Sequence, residues 1–215
     1  MTIPYAPDAQ LALLDQLRAA DPVLAAVEHA AGPLPWRTRP RGFPGLLQAI
    51  VGQQISTAAA AAIWRRLGAV EGALDPAGLL ALDDQALRGA GLSRPKVAHA
   101  RALAEAFVAG RLSDRLIERL DDEAAVALIS GVRGLGRWSA EVFLLFAHAR
   151  PDVFPAGDLA LQAAAQSLFR LAERPTAPEL RCRAERWRPA RALAARLLWH
   201  HWRFATGRPT MDDPA

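Results

Sequence analysis

Among 215 residues there is one cysteine, Cys182, and one lysine, Lys96. A lone cysteine builds neither an intrachain disulfide framework nor a four-cysteine zinc or iron–sulfur site, so a reducing compartment is expected. Runs of alternating β-branched residues are missing, which argues against a sheet. No stretch approaches the roughly 18 apolar residues of a membrane span. The amino terminus, MTIPYAPDAQ, has no basic segment leading into an apolar run. These absences point to a soluble, cytoplasmic protein.

What is present fits a helical globular protein. The chain is 52% hydrophobic, long enough for one domain or two small lobes with a sizeable core. The net charge is +4, and all but one of the 26 basic residues are arginine. That balance suits a polyanionic partner without proving one, since arginine preference also follows genomic base composition.

Nearly every segment has helical spacing, so the expected fold is all-α. Capping residues that enter Ala/Leu-rich runs mark helix starts at Asp8, Asp21, Asp75, Ser93, Ser113, Asp158 and Thr176. Gly32 to Pro44 reads as a Pro/Arg-rich connection, and Arg150 to Gly157 as a second loop. The tail from Gly207 is expected to fray. No solenoid repeat is present.

Residues Leu128 to Ala147, LISGVRGLGRWSAEVFLLFA, set a Gly-x-Gly turn between two apolar runs. Leu128, Ile129 and Val132 precede the turn, while Ala140, Phe143, Leu144 and Ala147 follow it, spaced for two short packed helices. This is helix–hairpin–helix grammar. A dinucleotide-binding glycine loop needs a preceding strand, and Glu123 to Ile129 is Ala-rich and helical in pattern, so that alternative fails. Unsatisfied amides at such a turn can receive one phosphate. Ala90 to Ala104 faintly repeats the same grammar. Twenty-two residues after Gly136 comes Asp158, in VFPAGDLAL. Read alone, Asp158 is the N-cap of a helix over Leu159 to Leu171. A reactive carboxylate and a cap do not exclude each other.

Gly45 to Leu67, GLLQAIVGQQISTAAAAAIWRRL, together with the hairpin and the VFPAGD stretch, resembles the helix–hairpin–helix DNA glycosylases, in particular those of the 3-methyladenine DNA glycosylase II (AlkA) type. The resemblance runs in order from about Ala20 to Trp202. It implies an all-α fold of two helical lobes with a cleft between them. One lobe would be residues 1–42 plus 140–215, and the other residues 43–139, ending in the hairpin. AlkA types often carry an amino-terminal β-rich domain. Here about forty residues of helix or loop precede the first motif, so a compact form without that domain is expected.

The resemblance also implies roles. Asp158 takes the catalytic aspartate position, where a fixed negative charge stabilises an oxocarbenium-like sugar and orients water. Related enzymes that also cut the strand place a Schiff-base lysine just after the hairpin's Gly-Arg. That position is Trp138 here, so a monofunctional, water-using enzyme without lyase activity is expected. Trp138 and Trp199 match aromatic walls of a base pocket, suited to stacking on cationic alkylated purines. Val142 stands where a tyrosine can occur. Trp36, Trp64, Trp187 and Trp202 are expected in core or surface packing. Gln54, or its neighbour Gln53, matches the wedge that fills the gap left by a flipped base. The amides of Gly134, Gly136 and Ser139 would hold a phosphate, with Arg133 and Arg137 adding charge, and Arg94 and Lys96 as further candidates. Carbonyls of Ser130, Val132 and Leu135 would coordinate a monovalent Na+ or K+. No redox cofactor or catalytic metal is needed. The expected partner of this nucleoid-associated monomer is double-stranded DNA bearing alkylated bases such as 3-methyladenine and 7-methylguanine. The rival reading is a non-catalytic helix–hairpin–helix module that binds damaged or junction DNA, and a helical protein-interaction adaptor is a third.

Overall fold

Side-chain caps set where most of the helices begin. The computed structural model describes residues 8–208, and these hold thirteen α-helices, one 3-10 turn and no strand. The helices are α1 (Asp8–Ala20), α2 (Pro22–Ala31), α3 (Gly42–Gly52), α4 (Thr57–Gly68), α5 (Pro76–Ala81), α6 (Asp84–Gly89) and α7 (Arg94–Val108). They continue with α8 (Asp114–Glu118), α9 (Asp122–Ser130), α10 (Arg137–Ala147), α11 (Leu159–Leu168), α12 (Ala177–Ala184) and α13 (Arg191–Thr206). Asp21, Asp75, Ser93, Ser113, Asp158 and Thr176 each accept a backbone N–H in the first turn of the helix they precede. Ser56, Asp83 and Asp121 do the same for α4, α6 and α9. Each cap satisfies an amide that has no partner within its own helix.

Two boundaries differ from the sequence expectation. Helix α3 begins at Gly42, so Pro44 belongs to its first turn, where a missing N–H breaks no intrahelical bond. Helix α11 stops at Leu168 rather than Leu171, because Arg170 turns into the left-handed region at φ 50°. Among the described residues no helix is long and apolar enough to cross a membrane. The tail beyond Arg208 and the first seven residues lie outside the described part of the chain.

The chain forms two compact units, one from the described residues up to Thr38 and from Leu144 onward, the other Arg39–Phe143. The second boundary falls inside α10, not at residue 139/140. The later half of α10 carries Phe146, whose ring stacks on Trp199 of α13 at 5.6 Å and so joins the first unit. In that unit α13 is the central helix, buried continuously from Arg191 to His200, as expected of a helix enclosed on every side. It packs on α2 and α11, through residues such as Leu24, Val27, Leu161 and Ala165.

In the other unit α7 takes the central place against α3, α5 and α6. Its Val97, Ala100, Leu103 and Ala104 are buried, as are Leu46, Leu47 and Ile50 of α3. Arg101 of α7 donates to the carbonyls of Leu80 (3.3 Å) and Leu82 (2.7 Å) and pairs with Asp84. One cation thereby satisfies carbonyls left open where α5 ends.

Asp21 joins local and distant structure in the first unit. Its Oδ1 accepts the amides of Val23 and Leu24, while Oδ2 accepts Trp187 Nε1 at 2.8 Å. Trp187 is 2% exposed, so its indole N–H has no water to turn to. Asp21→Ala removes a cap and strands a buried donor, with an expected cost of about 2–4 kcal/mol. A urea unfolding midpoint that matches wild type would contradict this.

Candidate active site and nucleic-acid interface

The stretch from Pro151 to Asp158 is held at both ends by α13. At its start, Asp152 accepts from Arg191 Nε (2.9 Å) and Arg188 Nη1 (2.7 Å), and Pro151 O accepts from Ala192 N (2.9 Å). Helix α13 has no side-chain cap of its own. These loop acceptors serve its first amides instead. At the other end Asp158 caps α11, its Oδ1 accepting Leu161 N at 2.9 Å. The same oxygen accepts Trp199 Nε1 at 3.2 Å. Between the two, Gln162 Nε2 donates to Ala156 O (3.0 Å). Asp158 is 8% exposed, so its carboxylate sits in protein surroundings with its orientation set by two fixed donors.

Trp199 departs from its expected place as a pocket wall. It is fully buried, stacked on Phe146 with 23° between the rings, and Arg196 lies 4.6 Å from the Phe146 centroid. The other neighbour of that guanidinium is the Trp36 ring at 5.4 Å. A ring enclosed this way offers no face to a base, and what it contributes is its N–H to Asp158. Leu159, directly after Asp158, is 65% exposed. Nothing in the sequence pattern singled it out, because a leucine opening a helix reads as core.

The hairpin lies in the other unit, between α9 and α10. Gly134 has φ 91°, and a Cβ there would run into the imidazole of His99 from α7. Both facts require glycine. Among the described residues, the amides of Gly134, Gly136 and Ser139 donate to no group of the chain. They are open donors at the start of a helix, the arrangement that receives an anion. Among the described residues, the carbonyls of Ser130 and Leu135 accept no backbone hydrogen bond, and that of Val132 accepts Leu135 N. Trp138, in the first turn of α10, is half-buried, whereas Val142 is buried.

The expected basic contacts divide. Arg133 is exposed and makes no hydrogen bond or ion pair among the described residues, and Arg94 is likewise exposed. Arg137, in contrast, is bound by Glu123 at 2.6 Å and Glu141 at 2.9 Å. Its hydrogen bond to Glu123, with the Glu141 charge beside it, raises its proton affinity above the usual guanidinium value despite partial desolvation. Lys96 does not face solvent as a free charge either, since Nζ donates to Val51 O at 2.7 Å. Burial lowers its pKa from the ordinary lysine value. Both residues are therefore committed to the protein's own structure.

The two glutamines at the end of α3 also separate. Gln53 turns inward, its Nε2 donating to Gly134 O at 2.8 Å. Gln54 is exposed in the left-handed region at φ 57°, which costs a residue with a Cβ about 1–2 kcal/mol. Ile55 follows it, 37% exposed, an apolar tip residue that the sequence pattern did not single out.

The hairpin, the glutamine tip and Asp158 all lie within a stretch of the chain that matches a known family. The HhH-GPD superfamily of base excision DNA repair proteins matches residues 47–189. The chain belongs to this family. It is 31% identical to DNA-3-methyladenine glycosylase 1 of Schizosaccharomyces pombe over 161 residues, 73% of this chain and 71% of that protein. DNA-3-methyladenine glycosylase 2 of Escherichia coli is 30% identical over 72% of this chain, which covers 55% of that protein. Among solved structures, S. pombe Mag1 in complex with abasic DNA superposes with a TM-score of 0.78 at 27% identity, covering 89% of this chain and 95% of that one. A DNA-3-methyladenine glycosidase from Bacillus halodurans gives 0.79 at 30% identity, covering 91% and 90%.

The split among basic residues generates a prediction for this family member. Arg133→Ala is expected to weaken duplex DNA binding for all sequences alike and to reduce the slope of log affinity against log salt by about one. Arg137→Ala is expected to leave that slope unchanged. Fluorescence anisotropy across a sodium chloride series separates the two: equally reduced slopes for both variants would show that the ion pairs of Arg137 open on DNA, and an unchanged slope for Arg133→Ala would remove Arg133 from the phosphate contacts.

Proposed function

We propose that this protein is a DNA glycosylase that flips alkylated purines out of duplex DNA and hydrolyses the N-glycosidic bond. The observation that carries this reading is the Asp158 carboxylate, fixed by the α11 amide of Leu161 and the buried indole N–H of Trp199. Cleavage of an N-glycosidic bond builds positive charge on the sugar, and a pre-oriented anion lowers the barrier without reorganising at the moment of reaction. Asp158 supplies that anion and orients the attacking water. Trp138 offers the aromatic face on which a cationic methylated base stacks. Gln54 fills the space the base vacates.

The hairpin grips one phosphate through the amides of Gly134, Gly136 and Ser139, with Arg133 adding charge. The carbonyls of Ser130, Val132 and Leu135 form a neutral oxygen set that fits a monovalent cation. Two of the three accept no hydrogen bond from the backbone of the described residues. Sodium or potassium there would offset the phosphate charge and take no part in bond cleavage. The reaction uses water and leaves the strand intact, because the position after the Gly-Arg of the hairpin is Trp138 and the one lysine is bound to Val51 O. The protein acts on nucleoid DNA as a monomer.

The deciding experiment is single-turnover base release from duplexes carrying 3-methyladenine, 7-methylguanine or ethenoadenine, with borohydride trapping in parallel. Wild type is expected to release base without a trapped adduct. Asp158→Asn keeps a capping side chain and is expected to lose about 10²–10³ in rate. Trp199→Phe keeps the ring, removes the donor and is expected to lose about tenfold. Duplex binding by both wild type and Asp158→Asn with no base release from either would make the protein a non-catalytic binding module.

A further inference from the structure

The exposed tip at Gln54 and the phosphate-gripping hairpin are joined inside one unit. Gln54 sits on a four-residue connection between α3 and α4. Its backbone is in a conformation that an L-residue adopts only when its neighbours hold it there. Two side chains do so. Gln53 Nε2 reaches Gly134 O across 81 residues of sequence, and Lys96 Nζ holds Val51 O at the end of α3. The accepting carbonyl is itself immobilised, because the imidazole of His99 fills the space beside Gly134. A side chain driven into a base stack must bear the load of unstacking. A tip attached only through its own loop would recoil. A tip latched to the segment that grips the backbone transfers that load to the same DNA.

We propose that Gln53 is a positioning residue which latches the Gln54 wedge to the hairpin, so that the phosphate grip and the base-flipping tip move as one body. This rests on the glycosylase reading above. It differs from a second wedge role for Gln53, whose amide points into the protein. The latch works only when there is a stacked, paired base to displace. Its loss therefore falls on flipping and not on bond cleavage.

The test compares wild type, Gln53→Met and Gln53→Glu in single-turnover base release from a lesion paired in duplex DNA and from the same lesion opposite an abasic-site analogue, where less pairing must be broken. Melting temperature and anisotropy on undamaged duplex accompany both. Met keeps length without a donor, and Glu places an acceptor against Gly134 O. Both variants are expected to melt and bind like wild type and to lose about tenfold on the paired lesion, the effect of one hydrogen bond's net contribution. Both are expected to come within about twofold of wild type on the unpaired lesion, where the flipping cost is small. Wild-type rates on both substrates would overturn the latch. So would an equal loss on both substrates, which would place the role of Gln53 in the reacting site. If wild type itself releases no base, the glycosylase reading fails instead. A variant that melts early is replaced by Lys96→Met, which loosens the same tip from its other anchor and carries the same expectations.

Discussion

The carboxylate of Asp158 is held by a helix to which it does not belong. Helix α13 grips the loop before Asp158 near its own amino end, through Arg191 and Ala192, and meets Asp158 again at Trp199. Eight residues of helix separate Arg191 from Trp199, about 12 Å at 1.5 Å per residue. The six-residue span from Asp152 to Asp158 could extend to about 20 Å, so the loop has slack for turns while both of its ends are fixed. The position of the carboxylate thus depends on a rigid rod and not on loop stiffness. This explains why α13 is enclosed along most of its length, since a rod that sets a position within an ångström must itself be immobile.

The Arg39–Phe143 unit solves a similar problem with α7. Lys96, His99 and Arg101 lie within two turns of that helix. They reach the end of α3, the hairpin glycine and the carbonyls after α5, respectively. Each is a residue whose charge or ring would attract attention as a candidate DNA contact or catalyst. Each is occupied in fixing a loop. The chain's one lysine is the clearest instance, because its scarcity in the sequence invites a chemical role and its geometry assigns a structural one.

Arginine number is equally indirect as a guide to the nucleic-acid surface. Arg18 binds Asp15 and Glu28, Arg188 and Arg191 bind Asp152 and Glu185, and Arg137 binds Glu123 and Glu141. Arg196 is buried against Trp36 and Phe146. The overall positive balance is therefore not the charge a phosphate meets. Near the hairpin turn, Arg133 is an expected contact whose side chain has no partner among the described residues.

The amino-acid sequence by itself determined the all-helical character, most helix starts and the hairpin, because caps and periodicity act within four residues of chain. Asp158 as the N-cap of α11 is legible for the same reason: donor and acceptor are three residues apart. Tertiary structure decided what the sequence pattern left open. Trp199 gives its N–H to Asp158 from 41 residues away, Gln53 and not Gln54 turns toward Gly134, and Lys96 is spent on Val51. Two adjacent glutamines, or a tryptophan on a helix rich in leucine, carry no local signal of direction. Which way such a side chain points depends on whether a distant donor or acceptor lies within about 3 Å, and only the packing of α7 and α13 against their neighbours settles that.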